Sequence, residues 1–580
     1  MSSLPLRLLM AALVAAVGLT SSVALADAAG PVNWPQWGQN PQHQGFVSVA
    51  GQALNTALAS LQYDPNVPAE QAASGGDLLA HYQAPLVHQN DVFMEFKTGP
   101  FTDPDHWNSQ TWQEKRFHWE NGSLVEKWTY SSSWKPEPNG PGNGQSSKQD
   151  RLGLGGWEPV FHAVMANDFI YVPSVNGTIV KLATGDGSVV SSINPGYPAA
   201  ANTSNFVAGP LSADESGNVY FNAIQLNNTD PWGASDTDVS DSWLVKVAPD
   251  DSAQKVSYKS LISGAPTTCT TTYNTSTDLP WPNFNTTPPT GPCGSPRVGL
   301  NVAPAIAPDG SVYTVARLHL RSRYSYLLGV NPDLTPKWQA SLRGHLNDGC
   351  GVLLPDDNGG SAGIGCRTGS PKGVDPATNE SPAGRVIDQT SSSPTVAPDG
   401  SILYGSYSRY NFARGHLWKY SPTGQLLATF DFGWDSTPAI FPHGGTYSIV
   451  IKDNHYDANC CPGNGAPPPG PFFITQLNSN LGVEWQFKST TIVQPDNPNG
   501  FEWCINAPAI DGNGVVYANS EDGNVYAIPQ GHTGIFDMTS PDVHRIFLKI
   551  AIGAAYTPLS IAADGKLYTE NDGFLFVIGN

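Results

Sequence analysis

One short unit recurs eight times along the chain, and this recurrence constrains the fold more than any other feature. Each copy reads as a proline, a short apolar strand, a tight turn, and a second strand rich in β-branched and aromatic residues, as in APAIAPDGSVYT from Ala303 and SPTVAPDGSILY from Ser393. The anchoring prolines are Pro85, Pro159, Pro210, Pro304, Pro394, Pro438, Pro508 and Pro558. Proline at a strand's first position loses no ladder hydrogen bond, and an Asp-Gly turn between alternating strands is a hairpin signal. A further strand follows in several copies, as in LLGVNPDLTPKW from Leu327 and LWKYSPTGQLLA from Leu417, so each unit predicts a small antiparallel sheet. Such a sheet cannot bury both faces by itself. Stacked units can, and closing the stack into a ring protects the end sheets. The expected fold is therefore all-β, an eight-bladed β-propeller of four-stranded antiparallel blades.

The last copy holds only about two strands before Asn580. Closure then needs strands from elsewhere, and the segment Gly45 to Asp64, with GFVSVAG and LASLQYD, is placed to supply the outer strands of the final blade. Spacing between copies is uneven, so insertions decorate some blades, chiefly at 267–292, 344–385 and 453–471. The composition agrees with strands and turns: 59 Gly, 50 Pro and 21 Tyr, with 13% charged residues. Helices are expected to be scarce.

Arg7, the apolar run Leu8 to Leu19 and the small residues before Asp27 read as a cleaved secretory signal over residues 1–26, leaving 27–580 as a single propeller that is secreted or periplasmic. No later segment is apolar enough to span a membrane. The net charge of −20, from 49 acidic and 29 basic residues, repels polyanions and argues against nucleic acid. Seven cysteines in an exported chain imply disulfides. Cys269 with Cys293 and Cys350 with Cys366 are the pairs nearest in sequence, each closing an insertion. Cys460, Cys461 and Cys504 remain.

The repeat, an apolar strand, an Asp-Gly turn, a Val-Tyr strand and T-G-x-x-x-W, resembles that of the pyrroloquinoline-quinone-type (quinoprotein-type) propellers, and NWPQWGQNPQHQGF from Asn33 is similar to the usual opening of such domains. The resemblance covers nearly the whole mature chain. It implies the propeller fold, while its members include dehydrogenases, assembly scaffolds and propellers without catalysis, so function does not follow from it. The dehydrogenases dock blades through an Ala-x-Asp…Gly…Trp pattern, present here as fragments leading to Trp338 and Trp485. They also place two adjacent, linked cysteines over the quinone. Cys460-Cys461 matches that pair by adjacency but falls in the sixth unit, and a bridge from either to Cys504 is the alternative.

Ligands of a propeller bind around its axis, where each outer strand leads into the next inner one. Just before the anchoring prolines stand Trp157, Glu158, Arg297, Asn301, Asp388, Gln389, Trp434, Asp435, Glu502, Trp503, Asn506 and Tyr556. Glu158, Asn301 and Asp388 supply the oxygen ligands a calcium ion takes. Trp434 and Arg297 suit a flat quinone such as pyrroloquinoline quinone, and Asp435 is the candidate general base on an alcohol. Loop ends favour polar residues in any case, and Asp or Asn there often caps a turn. Neither G-x-S-x-G nor H-E-x-x-H occurs. Two readings follow. The first is a non-catalytic binding or scaffold propeller, a monomer that takes a protein, glycan or small-molecule ligand without membrane insertion. The alternative is a calcium- and quinone-dependent dehydrogenase of alcohols or sugars.

Overall fold

Among the described residues eight blade sheets follow one another along the chain, and the innermost row of each holds a strand from one of the predicted repeats. In blades 3 and 4 that row is in two pieces, Thr203–Val207 with Ser212–Ala213 and Pro296–Val298 with Ala305–Ile306, and a separate two-stranded sheet pairs Thr268–Thr270 with Thr290–Pro292. The structure is a computed structural model and describes residues 33–73, 82–103, 106–136, 160–228, 239–273, 282–346, 349–350, 369–388, 392–408, 414–433, 436–454, 472–488, 503, 505, 507–549 and 557–580. Blade 5 is the plainest example: Thr395–Val396, Ile402–Ser408, Arg414–Tyr420 and Leu426–Gly433 pair in chain order. Innermost strands are short, because eight of them converge on one axis. The second strands are buried on both sides, as along Val312–Leu318, since every sheet lies between two others. Among the described residues two short helices, Val67–Ala73 and Tyr258–Leu261, accompany the strands. No helix among the described residues is long and apolar enough to cross a membrane.

The amino-terminal segment closes the ring on the eighth sheet as expected, but the last copy supplies three strands rather than about two, Leu559–Ile561, Leu567–Asn571 and Phe574–Gly579, so a single outer strand completes it. Thr56–Gln62 adds to Phe574–Gly579 as the outermost strand, with Thr56 opposite Gly579 and Gln62 opposite Phe574. Blade 6 departs from the four-stranded pattern. Gly534–Asp537, from the blade 7 segment, pairs in parallel with Val483–Lys488.

The turn aspartates have two roles. Asp399 Oδ1 accepts the Ser401 N–H at 2.9 Å, which shapes the hairpin, while its Oδ2 accepts from Tyr447 OH of the next blade at 2.8 Å. Blades are further locked by side chains that reach backbone carbonyls of their neighbour. Trp128 of blade 1 donates to Thr184 O at 2.9 Å and Trp338 of blade 4 to Pro422 O at 2.9 Å. A Cβ built on Gly187 would fall 2.6 Å from Trp128, and one on Gly424 2.7 Å from Trp338. The docking pattern thus operates at Trp338, and also at Trp128, which its sequence fragments do not indicate. At other seams a lysine replaces the indole: Lys181 reaches Pro249 O at 3.1 Å, Lys246 reaches Pro332 O at 3.0 Å and Lys419 reaches Ser479 O at 2.6 Å.

Cys269 and Cys293 are disulfide-bonded. Cys350 is also in a disulfide, and Cys366 lies outside the described residues. The insertions at 267–292 and 344–385 are not separate decorations. Tyr273 N–H donates to Ala377 O at 2.9 Å, Asn379 Nδ2 to Tyr273 OH at 3.0 Å, and Thr270 Oγ1 to Glu380 Oε1 at 3.2 Å. The two join into one cap beside blade 4. Of the insertion at 453–471, only Asp453 and Asn454 are described.

Candidate functional site

Every blade is reached from one face of the ring, here called the mouth face, where the connection from the preceding blade leads into the innermost strand. The centre of this face is built from strand ends. Pro296–Val298 pairs with Val312–Leu318 and sets Arg297 directly opposite Arg317, both fully buried. Like charges opposed across a strand pair repel, and the Asp388 carboxylate lies between them. Its Oδ1 accepts from Arg297 Nη1 at 2.9 Å and from Leu300 N–H at 3.1 Å, and its Oδ2 from Arg297 Nη2 at 2.5 Å and Arg317 Nη1 at 3.1 Å. Arg297 Nε also donates to His319 Nδ1 at 3.2 Å, which makes that ring nitrogen an acceptor.

The electrostatics follow from this packing. Burial opposes ionisation of Asp388, but the guanidiniums of Arg297 and Arg317 outweigh it and hold the carboxyl below the usual carboxylate range. Burial lowers Arg317 to about 9, with Asp388 offsetting part of the effect and Arg297 and Arg385 adding repulsion. Arg385 is lowered to about 10 by burial and by Arg323. Arg385 Nε donates to Ser322 Oγ at 2.8 Å, and Arg323 pairs with Asp375 of the cap at 2.5 Å.

Asn301 ties four blades to this centre. It takes a left-handed backbone (φ 59), its N–H donates to Ala208 O at 2.8 Å, its Oδ1 accepts from Val160 N–H at 3.0 Å, and its Nδ2 donates to Asp388 O at 3.2 Å. A second polar knot joins blades 1 and 2. Gln83 N–H donates to Glu95 Oε1 at 3.0 Å, its Nε2 to Glu114 Oε1 at 3.0 Å, and its Oε1 accepts from Ala163 N–H at 2.8 Å. Burial, partly offset by the Gln83 bond, raises Glu114 to about 8. Trp503 exchanges two bonds with Asn454, at 3.1 and 3.0 Å, and is packed against Phe487 and Tyr526.

The structure therefore brings Arg297, Asn301 and Asp388 together. Glu158, Trp434, Asp435, Cys460 and Cys461 lie outside the described residues, as do Trp157, Gln389, Glu502, Asn506 and Tyr556. A calcium ion takes six to eight oxygens, whereas a carboxylate offers about four lone-pair positions. All four of Asp388 are filled by N–H donors, and the Asn301 amide oxygen already holds Val160 N–H. These residues form a buried ion-pair centre and do not fit a calcium cradle. Among the described residues no three His, Cys, Asp or Glu side chains make a metal-binding group. Sequence reading missed Arg317, His319, Arg323 and Arg385. The run ARLHLRSR from Ala316 carried a signal for them, with cationic residues at alternate positions in a chain that has few.

No protein-family model and no curated protein matches the sequence. Solved structures do. A europium-containing methanol dehydrogenase superposes with a TM-score of 0.50 at 11% identity, covering 93% of this chain and 89% of that one. A quinohemoprotein alcohol dehydrogenase from Comamonas testosteroni gives 0.48 at 11% identity over 95% and 81%. BamB from Moraxella catarrhalis gives 0.41 at 10% identity over 90% and 99%. At such identities the likeness is one of fold: this chain is an eight-bladed propeller of the same architecture as the methanol dehydrogenase.

Proposed function

We propose that the chain is an exported, non-catalytic binding or scaffold propeller that offers its mouth face and the cap beside blade 4 to a protein, glycan or small-ligand partner. One observation carries the reading: the axial candidates among the described residues, Arg297, Asn301 and Asp388, are committed to holding blades together. Every lone-pair position of Asp388 is taken, and Asn301 spends its amide on blades 2 and 5. A catalytic centre needs such groups turned toward a substrate. Export is supported by the Cys269–Cys293 disulfide together with the amino-terminal signal pattern.

The test is a titration of the purified mature protein with pyrroloquinoline quinone and calcium, followed by quinone absorbance and then by dye reduction on a panel of alcohols and sugars. The expected result is no stoichiometric uptake and no turnover. Tight one-to-one binding with turnover would overturn the proposal and make the chain a dehydrogenase.

A further inference from the structure

The face opposite the mouth is where the first hairpin of each blade turns, and one segment of chain crosses it. Between Trp34 and Gln52 the backbone visits all eight blades in ring order. Trp34 forms an antiparallel bridge with Val87 of blade 1, and Pro35 O accepts from Met165 N–H of blade 2 at 2.9 Å. The Gln36 amide clasps both backbone groups of Ala213 in blade 3, at 3.1 and 2.7 Å. Pro41 O accepts from Ile306 of blade 4 at 2.7 Å, Gln42 O from Val396 of blade 5 at 2.9 Å, and Gln44 O from Ile440 of blade 6 at 2.8 Å. Gly45 O accepts from Ile510 of blade 7 at 2.8 Å, and Gln52 N–H donates to Gly565 O of blade 8 at 2.7 Å. The chain then enters Thr56–Gln62, the outer strand of blade 8.

The logic of this path lies in the innermost strands. Each has a free edge toward the axis, and its backbone groups need partners once water is excluded. The segment supplies one set per blade. Its side chains fill the lumen as well. Trp37 is fully buried against Ala303 of blade 4 and Ala507 of blade 7, donates to Thr437 Oγ1 of blade 6 at 3.2 Å, and meets His162 edge-on at 5.7 Å. The His43 ring bridges Pro394 O of blade 5 at 2.9 Å and Ser212 Oγ of blade 3 at 3.3 Å. Trp37 thus links blades 2 and 6, on opposite sides of the ring, and His43 links blades 3 and 5.

We propose that residues 34–52 are a strap that seals the axial channel on the turn face and seats as one cooperative unit, so that ligands reach the axis from the mouth face alone. The strap stands whichever way the quinone titration falls, because none of its contacts involves Arg297, Asn301 or Asp388.

Hydrogen exchange of the full-length protein tests it, read at the amides of Ile306, Val396, Ile440 and Ile510, which all donate to strap carbonyls. In Trp37→Ala these amides should exchange faster by one common factor, on the order of a hundredfold, from the cavity left at the axis. Gln44→Ala removes two side-chain bonds, Nε2 to Val396 O at 2.9 Å and Asn40 Nδ2 to Oε1 at 3.0 Å, and should still accelerate all four together, by on the order of tenfold. This second variant decides the question if Trp37→Ala does not fold. Acceleration confined to Val396 and its neighbours would show independent contacts and overturn the proposal. So would amides that exchange in the wild type as fast as an exposed loop.

Discussion

At the scale of single residues, the most consequential group is the Asp388 carboxylate between Arg297 and Arg317. Asp388→Ala leaves two buried guanidiniums opposed across a strand pair without the anion that now joins them, and removing one partner of a buried ion pair costs about 3–5 kcal/mol. A drop of that size in chemical denaturation is the expected outcome. Its pH dependence has a definite sign. The folded carboxyl titrates below its unfolded value, so its stabilisation is complete above about pH 4 and is lost as pH falls through the folded value. The gap between wild type and Asp388→Asn should therefore narrow in acid. Glu114 behaves in the opposite sense. It is raised to about 8, so the stabilisation of its neutral form is complete below about pH 4 and is lost as pH rises to about 8. Glu114→Gln should match the wild type near pH 4 and exceed it by roughly 2–4 kcal/mol at pH 8, measured as the difference between denaturant midpoints. The positions of Arg297, Asn301 and Asp388 were legible in the sequence because they precede repeat prolines. Their roles were not, since the facing of Arg297 and Arg317 depends on a strand register set by residues twenty apart.

At the scale of elements, the seams between blades carry the specificity of the ring. Gly424 has a φ of +82 and lies under the Trp338 indole, whereas Gly445 has a φ of +78 with nothing within 4 Å of a built Cβ. Alanine at Gly445 meets only the left-handed backbone penalty, about 1–2 kcal/mol. Alanine at Gly424 meets that penalty and the indole, a further 1–3 kcal/mol or so. Paired urea titrations of Gly424→Ala and Gly445→Ala should separate the two contributions, and equal losses would mean that Trp338 moves aside without cost. Hairpins were legible here because an Asp-Gly turn is local chemistry. The lysine-to-carbonyl locks were not, because Lys181 and Pro249 are neighbours only once blades 2 and 3 stack. The strand Gly534–Asp537 is another such case. Its parallel partner belongs to the preceding blade.

At the scale of the whole molecule, repetition along the chain makes the blade number and the need for an outside closing strand readable from the amino-acid order alone. The expected donor, Gly45 to Asp64, divides in two: Thr56–Gln62 forms the outer strand, while residues up to Gln52 belong to the axis. The docking of the two insertions onto each other was hidden, because loops rich in Gly, Pro and Thr carry no periodicity from which a partner can be read. The pairing of Thr56–Gln62 with Phe574–Gly579 also bears on biogenesis. The strand that completes the last sheet is synthesised long before its partner. At roughly 5–20 residues per second this is a wait on the order of half a minute to two minutes. Through much of that interval Trp37 lacks Thr437 and Ala507, two of the residues around it in the finished ring. Blade-by-blade closure along the chain therefore leaves Thr56–Gln62 unpaired until the hairpin of Leu567–Asn571 and Phe574–Gly579 is made.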